Sequence, residues 1–293
     1  MPGLAAVLTT LMLSQTPGSV DLQGHRGARG LAPENTLPGF ERALAIGVDT
    51  LELDVGVTRD GVVVIHHDRR LNPDVARGPD GKWVSGPAPT INSLTFNQLM
   101  TYDVGRIRPG SEYARRFPHQ KPVDGARIPR LRDLFELAAG SGVRFNIETK
   151  LSPEAPEETL APEPFARGLI AEVRNAGVAA RTTIQSFDFR TLKVVEREAP
   201  EIATAYLTSG ESSDPAQLRQ AGARLWSPDF RDLNPEKLAA ARALRLKIVA
   251  WTVNEPADIA RALDMQIDGV ISDYPDRVRE ELKRRGIALP RGR

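Results

Sequence analysis

Residues 182–207 read TTIQSFDFRTLKVVEREAPEIATAYL, and this stretch decides the fold. Its ends, Thr182–Phe187 and Ile202–Leu207, are short runs rich in β-branched and aromatic residues, as strands require. The middle, Phe189–Glu198, is amphipathic at helical spacing, and Asp188 stands where a helix N-cap belongs. Two strands joined through a helix lie parallel, because a parallel pair needs a crossover of about a dozen residues or more. Working outward, the same rhythm continues. Further strand candidates are Leu22–His25, Thr50–Val55, Val62–His67, Arg144–Thr149, Arg224–Ser227, Lys247–Val253 and Gly269–Ser272. Helical patterns are Thr36–Ile46, Leu131–Ser141, Pro164–Ala176, Pro215–Ala221, Pro235–Ala243 and Glu255–Leu263. Asp214 and Asn234 read as N-caps, with Pro215 and Pro235 at the first helical position. Alternation of this kind over 293 residues predicts a parallel α/β fold of one large domain, spanning 21–293.

Two places break the rhythm. Gly56–Gly61 is too short for a crossover, so Thr50–Val55 and Val62–His67 form either a hairpin-like pair or a barrel strand with an irregular return. Residues 68–130 are rich in Pro, Gly and Arg and hold one weak helical pattern, Asn92–Tyr102; they read as an insertion over one end of the fold, after the third strand region.

The charge is balanced, 39 basic against 38 acidic residues for a net +1, so nothing draws the chain to nucleic acid. With no cysteine, disulfides, thiolate metal sites and a Cys nucleophile are excluded. The apolar run Gly3–Leu13 is too short to span a bilayer. Its length fits a signal-peptide core, although no Lys or Arg precedes it. The expectation for residues 1–20 is a signal-like leader or tail, with a periplasmic or secreted location and a cytoplasmic one as the alternative.

Chemistry collects at strand ends. In Leu51-Glu52-Leu53-Asp54-Val55 the two carboxylates share one face and the apolar residues the other. Carboxylates crowded on an inner face need a cation, and hard oxygen ligands suit Mg²⁺ or Ca²⁺; the bland alternative is a solvated face with structural ion pairs. Glu148 and Lys150 repeat the spacing, one as a third carboxylate, the other as a point charge for a phosphate oxygen. His25 and one of His66 and His67 end strands, where barrel active sites form, and are suited to acid–base work. Alternation from Val63 and Ile65 favours His67, leaving His66 to packing, while His119 is expected on the surface. After His25, Arg26 can fork onto a phosphate, Glu34 can reach a metal or orient a ligand, and Asn35 or Thr36 can cap the next helix.

These motifs together resemble the glycerophosphodiester phosphodiesterase family: HRGARGLAPENTLPGF (25–40), GVDTLELDVGVTRDGVVVIHHD (47–68), NIETK (146–150), QSF (185–187), WTVN (251–254) and DGVISDYP (268–275). They occur in the family's order from residue 21 to about 280. The resemblance implies a slightly irregular (β/α)8 TIM-type barrel that hydrolyses glycerophosphodiesters to glycerol 3-phosphate and an alcohol. It implies one divalent metal, Mg²⁺ or Ca²⁺, on Glu52, Asp54 and Glu148. His25 and His67 become the acid–base pair, and Arg26 and Lys150 hold the phosphate. Glu34 and Asn35 complete the first loop, Trp251 is an apolar wall near the glycerol, and Gln185 and Phe187 are pocket candidates. Ser272 and Asp273 are assigned to the barrel rather than the chemistry. The run Arg69–Asp74 departs from the family in lacking an Arg-Thr pair. Rival readings are a lysophospholipid-cleaving, phospholipase D-like enzyme, a cyclising phosphodiesterase, a barrel glycosidase, and a non-catalytic phosphoglycerol-binding protein. A glycosidase has no use for two histidines with Lys150, and a binding protein would often have lost a histidine or carboxylate that this chain keeps.

Overall fold

The computed structural model describes residues 19–290; the leader-like run Gly3–Leu13 lies outside the described residues. Among the described residues nine strands appear in chain order: β1 Asp21–Gly24, β2 Thr50–Val57, β3 Val63–Ile65, β4 Arg144–Thr149, β5 Thr182–Ser186, β6 Ala203–Thr208, β7 Leu225–Pro228, β8 Lys247–Ala250 and β9 Gly269–Ser272. Their order in the sheet is β1-β9-β8-β7-β6-β5-β4-β2-β3, and β1 also pairs with β2. That last pairing closes a ring of eight parallel strands. The ninth, β3, lies outside it, antiparallel to the far end of β2 through Val55–Ile65, Gly56–Val64 and Val57–Val63. Both readings of 50–67 therefore hold in part: β2 is a barrel strand, and its last residues carry a hairpin partner.

The strands have two unlike faces. Leu22, Leu51, Leu53, Phe145, Ile147 and Ile184 are fully buried against the outer helices. Truncating such a side chain to Ala costs about 2–5 kcal/mol. The inner face is divided: Gln23, Glu52, Asp54, Asn146, Glu148 and Gln185 make it polar on the β1, β2, β4 and β5 side, while Leu207, Val249 and Ile271 keep part of the branched aliphatic filling common in such barrels. Asn146 Nδ2 donates to Gln23 Oε1 (2.8 Å) and Gln185 Oε1 (3.0 Å), and Gln185 Nε2 donates to Glu52 Oε1 (2.8 Å). This chain of amides supports Glu52 from beneath and fixes its direction, since a buried amide or carboxylate is costly unless paired.

Helix boundaries follow the local chemistry. Thr36, not Asn35, caps the Leu37–Ile46 helix by accepting from Gly39 N (3.2 Å). Asp188, Asp214 and Asn234 cap as expected. The last barrel helix, Pro275–Arg284, has no counterpart among the sequence-based expectations. Its exposed face is so charged that the few apolar anchors, Val278 and Leu282, give a weak periodic signal.

Between β3 and the Leu131–Leu137 helix the chain builds a cap with its own small core of Val64, Leu71, Val75, Ala76, Ile91, Leu99, Val104 and Ile128. The expected helix at Asn92–Tyr102 shortens to Phe96–Leu99, preceded by a 3-10 turn at Ile91–Ser93. Two short segments with separate Thr caps, Thr90 and Thr95, break what the sequence reads as one.

Candidate active site

The parallel strands all point their C-terminal ends the same way, so the residues at or just beyond them meet. They surround a cavity of about 460 Å³ lined by His25, Arg26, Glu52, His67, Glu148, Lys150, Gln185, Phe187 and Trp251, together with Arg29, Asp68, Tyr113 and Arg116. Asp54, Glu34 and Asn35 sit behind this wall. Asn35 Nδ2 donates to Asp54 Oδ2 (3.0 Å), and Glu34 Oε1 accepts from Arg26 Nη1 (2.8 Å). Asn35 thus contacts a metal-ligand candidate rather than the cavity. His66 turns aside and bonds the Asp68 carbonyl through Nδ1 (2.8 Å), and His119 is exposed. Phe187 and Trp251 meet edge to face, 5.5 Å between centroids, and Trp251 Nε1 donates to the Ser227 carbonyl.

The first loop is tightly wound. Arg26 (φ 50°) and Asn35 (φ 53°) adopt left-handed backbone, uncommon for residues with a Cβ. Gly27 (φ 84°) is required: a Cβ there would meet the Gly39 carbonyl at 2.7 Å. The turn brings Arg26 N to Glu52 Oε2 (2.9 Å) while its guanidinium reaches Glu34, and Nε lies 3.3 Å from Asp54 Oδ2.

Glu52, Asp54 and Glu148 each present an oxygen such that all three atoms lie within 4.8 Å of one another, and all three residues are buried. Such crowding is unstable without positive charge. Burial, then repulsion from Asp54, pushes the Glu52 carboxyl well above the usual range. Burial likewise raises Glu148 to about 7, against the pull of Lys150. Burial acts the same way on Asp54, yet the charges of His67, Arg26 and Lys150 outweigh it and hold that carboxyl well below its ordinary value. Lys150 Nζ lies 2.7 Å from Glu148 and 3.7 Å from Asp54. Asp54 Oδ1 is buried without a hydrogen-bond partner. An all-oxygen set with an orphaned carboxylate oxygen fits a hard divalent cation.

The two histidines flank this triad, and each is held by a carboxylate. His25 Nδ1 meets Asp273 Oδ1 at 2.7 Å; His67 Nδ1 meets Asp68 Oδ1 at 2.7 Å. The Nε2 of His25 is 3.8 Å from Glu52, and that of His67 is 3.1 Å from Lys150 Nζ, which itself bonds Glu148. Burial lowers His25 to about 4, overcoming the opposing pull of Asp273, and lowers His67 in the same direction. A carboxylate on Nδ1 fixes the tautomer and offers Nε2 for proton transfer.

Sequence reading missed the supports. Asp273, expected to serve the barrel, sits one residue past β9 and holds His25. Arg29 grips Asp273 through Nε (2.7 Å) and Nη2 (3.0 Å), and Asn254 Nδ2 adds a third bond (2.7 Å). Tyr113, from the cap, accepts from Arg29 Nη1 (3.2 Å) and donates to Glu34. The strand-end rule that singled out His25 applies equally to Asp273. Tyr113 gives no such signal, because 84 residues separate it from its Arg29 partner.

Fold and site together define a parallel barrel whose mouth pairs a metal-capable carboxylate triad with cations and two histidines. The model of the glycerophosphoryl diester phosphodiesterase family matches residues 25–277. A glycerophosphodiester phosphodiesterase from Caldanaerobacter subterraneus subsp. tengcongensis is 29% identical over 258 residues, 86% of this chain and 93% of that protein. One from Bacillus subtilis is 29% identical over 274 residues, covering 89% and 86%. A crystal structure from Silicibacter pomeroyi, provisionally described as a glycerophosphoryl diester phosphodiesterase, superposes with a TM-score of 0.88 at 37% identity, covering 93% of this chain and 96% of that one. An Oleispira antarctica phosphodiesterase, solved with the product sn-glycerol-3-phosphate, shares the fold at a TM-score of 0.72 and 22% identity, covering 90% and 97%. The chain belongs to the glycerophosphoryl diester phosphodiesterase family.

Proposed function

We propose that this enzyme hydrolyses glycerophosphodiesters to glycerol 3-phosphate and an alcohol, using His25 and His67 for acid–base catalysis beside a divalent cation. The observation that carries the reading is the pair of carboxylate-held histidines beside the carboxylate triad, His25 Nε2 lying 3.8 Å from Glu52 and His67 Nε2 3.1 Å from Lys150, the cation bonded to Glu148. Bound at Glu52, Asp54 and Glu148, Mg²⁺ or Ca²⁺ would stabilise charge on the phosphate oxygens and acidify a bound hydroxyl. Arg26 and Lys150 add fixed positive charge where the phosphate oxygens become more negative. One histidine removes the proton of the attacking hydroxyl as its oxygen bonds to phosphorus. The other delivers a proton to the departing alcohol as the second P–O bond breaks. Trp251 and Phe187 offer the apolar wall for the glycerol carbons, and Gln185 keeps Glu52 in place. A first attack by the glycerol 2-hydroxyl, with water opening a cyclic phosphate afterwards, uses the same groups. A periplasmic or secreted location rests on the Gly3–Leu13 run alone.

Phosphorus NMR of glycerophosphocholine turnover tests this directly. Growth of a glycerol 3-phosphate resonance is expected. Accumulation of a cyclic phosphate with no glycerol 3-phosphate would make the enzyme a cyclising phosphodiesterase, and no change with metal-loaded, folded protein would exclude the substrate class.

A further inference from the structure

The cavity has two unlike halves. Phe187 follows β5 and Trp251 follows β8, so the β5–β8 side of the ring contributes aromatic surface, joined by Leu207 from β6. The loop after β1 and the cap that packs on it contribute Arg29, Tyr113 and Arg116. Arg116 differs from every other cation lining the cavity. Arg26, Arg29 and Lys150 are nearly buried and each is paired with a carboxylate. Arg116 is exposed, lies 5.7 Å from the Tyr113 ring and 5.6 Å from the Phe117 ring, and has no carboxylate within ion-pair distance among the described residues. The rings hold the guanidinium stem without neutralising it.

The carboxylates of the lining show the complementary pattern. Glu52 accepts from Gln185 and Arg26 N, Glu148 from Lys150, and Asp68 is shared between His67 and Asn72. Among the described residues, no lining carboxylate is left over for an ammonium head group, whereas the Arg116 guanidinium is left over for an anion.

Resting on the reading of the enzyme as a glycerophosphodiesterase, we propose that Arg116 is a specificity determinant that binds an anionic group on the leaving alcohol. The substrates it favours are glycerophosphodiesters whose head group bears a carboxylate or a phosphate. The aromatic half then takes the glycerol and the cap half takes the head group. Arginine is suited to this, because its planar fork meets a carboxylate through two parallel hydrogen bonds. The cap supplies the residue from a segment that the barrel does not constrain, so head-group choice is separable from the reacting groups.

Glycerophosphoserine and glycerophosphoethanolamine differ by one carboxylate and make the test. Steady-state kcat/KM for both is measured with the full chain and added Mg²⁺ or Ca²⁺, for the parent and for Arg116→Glu. The parent is expected to favour the serine ester by about fivefold, the scale of one partly exposed charge-assisted contact. Arg116→Glu is expected to reverse that ratio; the side chain is exposed, so the fold survives the change. Equal ratios in the two proteins, or no serine preference in the parent, overturn the assignment of Arg116 while leaving the phosphodiesterase reading intact. Turnover of neither ester by the metal-loaded parent overturns both.

Discussion

His25 and His67, the proposed acid–base pair, stand on unlike supports. His25 directly follows β1, and its partner Asp273 directly follows the neighbouring β9, held by two bonds from Arg29 and one from Asn254. Asp273 is 1% exposed at its side chain. His67 stands on the irregular return after β3, and its partner is the next residue, Asp68, whose side chain is 38% exposed and, among the described residues, otherwise bonded only to Asn72. One dyad is fixed by residues 248 positions apart in the chain, the other by neighbours. The barrel therefore sets the direction of His25 through tertiary packing, while water can take part of Asp68's role at His67.

That asymmetry orders the expected effects. Removing either imidazole has the largest: His25→Ala and His67→Ala each lower kcat by about a thousandfold, within the range for general acid–base groups, with circular dichroism unchanged. Equal residual activity in both and in the parent would dissolve the comparison. Replacing the carboxylates separates the two supports. Asp273→Asn lowers kcat by about a hundredfold with little change in KM, because the imidazole loses its fixed tautomer and Arg29 loses its counter-charge. Asp68→Asn lowers it by only about tenfold. If Asp68→Asn proves the more damaging, the exposed dyad is the more demanding one and the argument from burial fails.

Stability sharpens the same contrast. Burial works against the charged form of Asp273, yet Arg29 and His25 hold its carboxyl well below the usual range. A depressed carboxylate contributes stability above the unfolded value of about 3.9, and loses that contribution as pH falls through the folded value. Urea melts should therefore show Asp273→Asn less stable than the parent by about 3 kcal/mol from pH 5 to 8, with the gap narrowing below about pH 4. A gap that widens in acid would contradict the sign. Smallest of all, Tyr113→Phe removes the hydroxyl shared by Arg29 and Glu34 and is expected to lower kcat by about threefold, through the loss of two hydrogen bonds to charged partners at the far end of the His25 chain.

Most of this architecture was legible because parallel strands and crossover helices leave opposite periodicities in the chain. Arg144–Thr149 and Phe189–Glu198 have the same bounds in sequence and structure. Period two placed Glu52 with Asp54 and Glu148 with Lys150, and the strand-end rule placed His25. The supports were harder to read. Asp273 lies just before the Pro275–Arg284 helix, and nothing local reveals that its partner is His25. Arg69 and Arg70, where the chain departs from the family, turn onto Glu158 at 2.6 and 2.7 Å, a contact between residues 89 and 88 positions apart that is visible only in the folded chain. Tyr113 and Arg116 sit in a cap with little periodic pattern, so their arrival at the cavity is a property of its small separate core.

The central claim is that the carboxylate triad and the two histidines act together on a glycerophosphodiester. Its most direct test is release of glycerol 3-phosphate from glycerophosphocholine, followed with added Mg²⁺ or Ca²⁺ and then with EDTA, in the parent and in His25→Ala. The account predicts release that EDTA abolishes and that His25→Ala lacks. Full release from metal-stripped protein, or from His25→Ala, would contradict it.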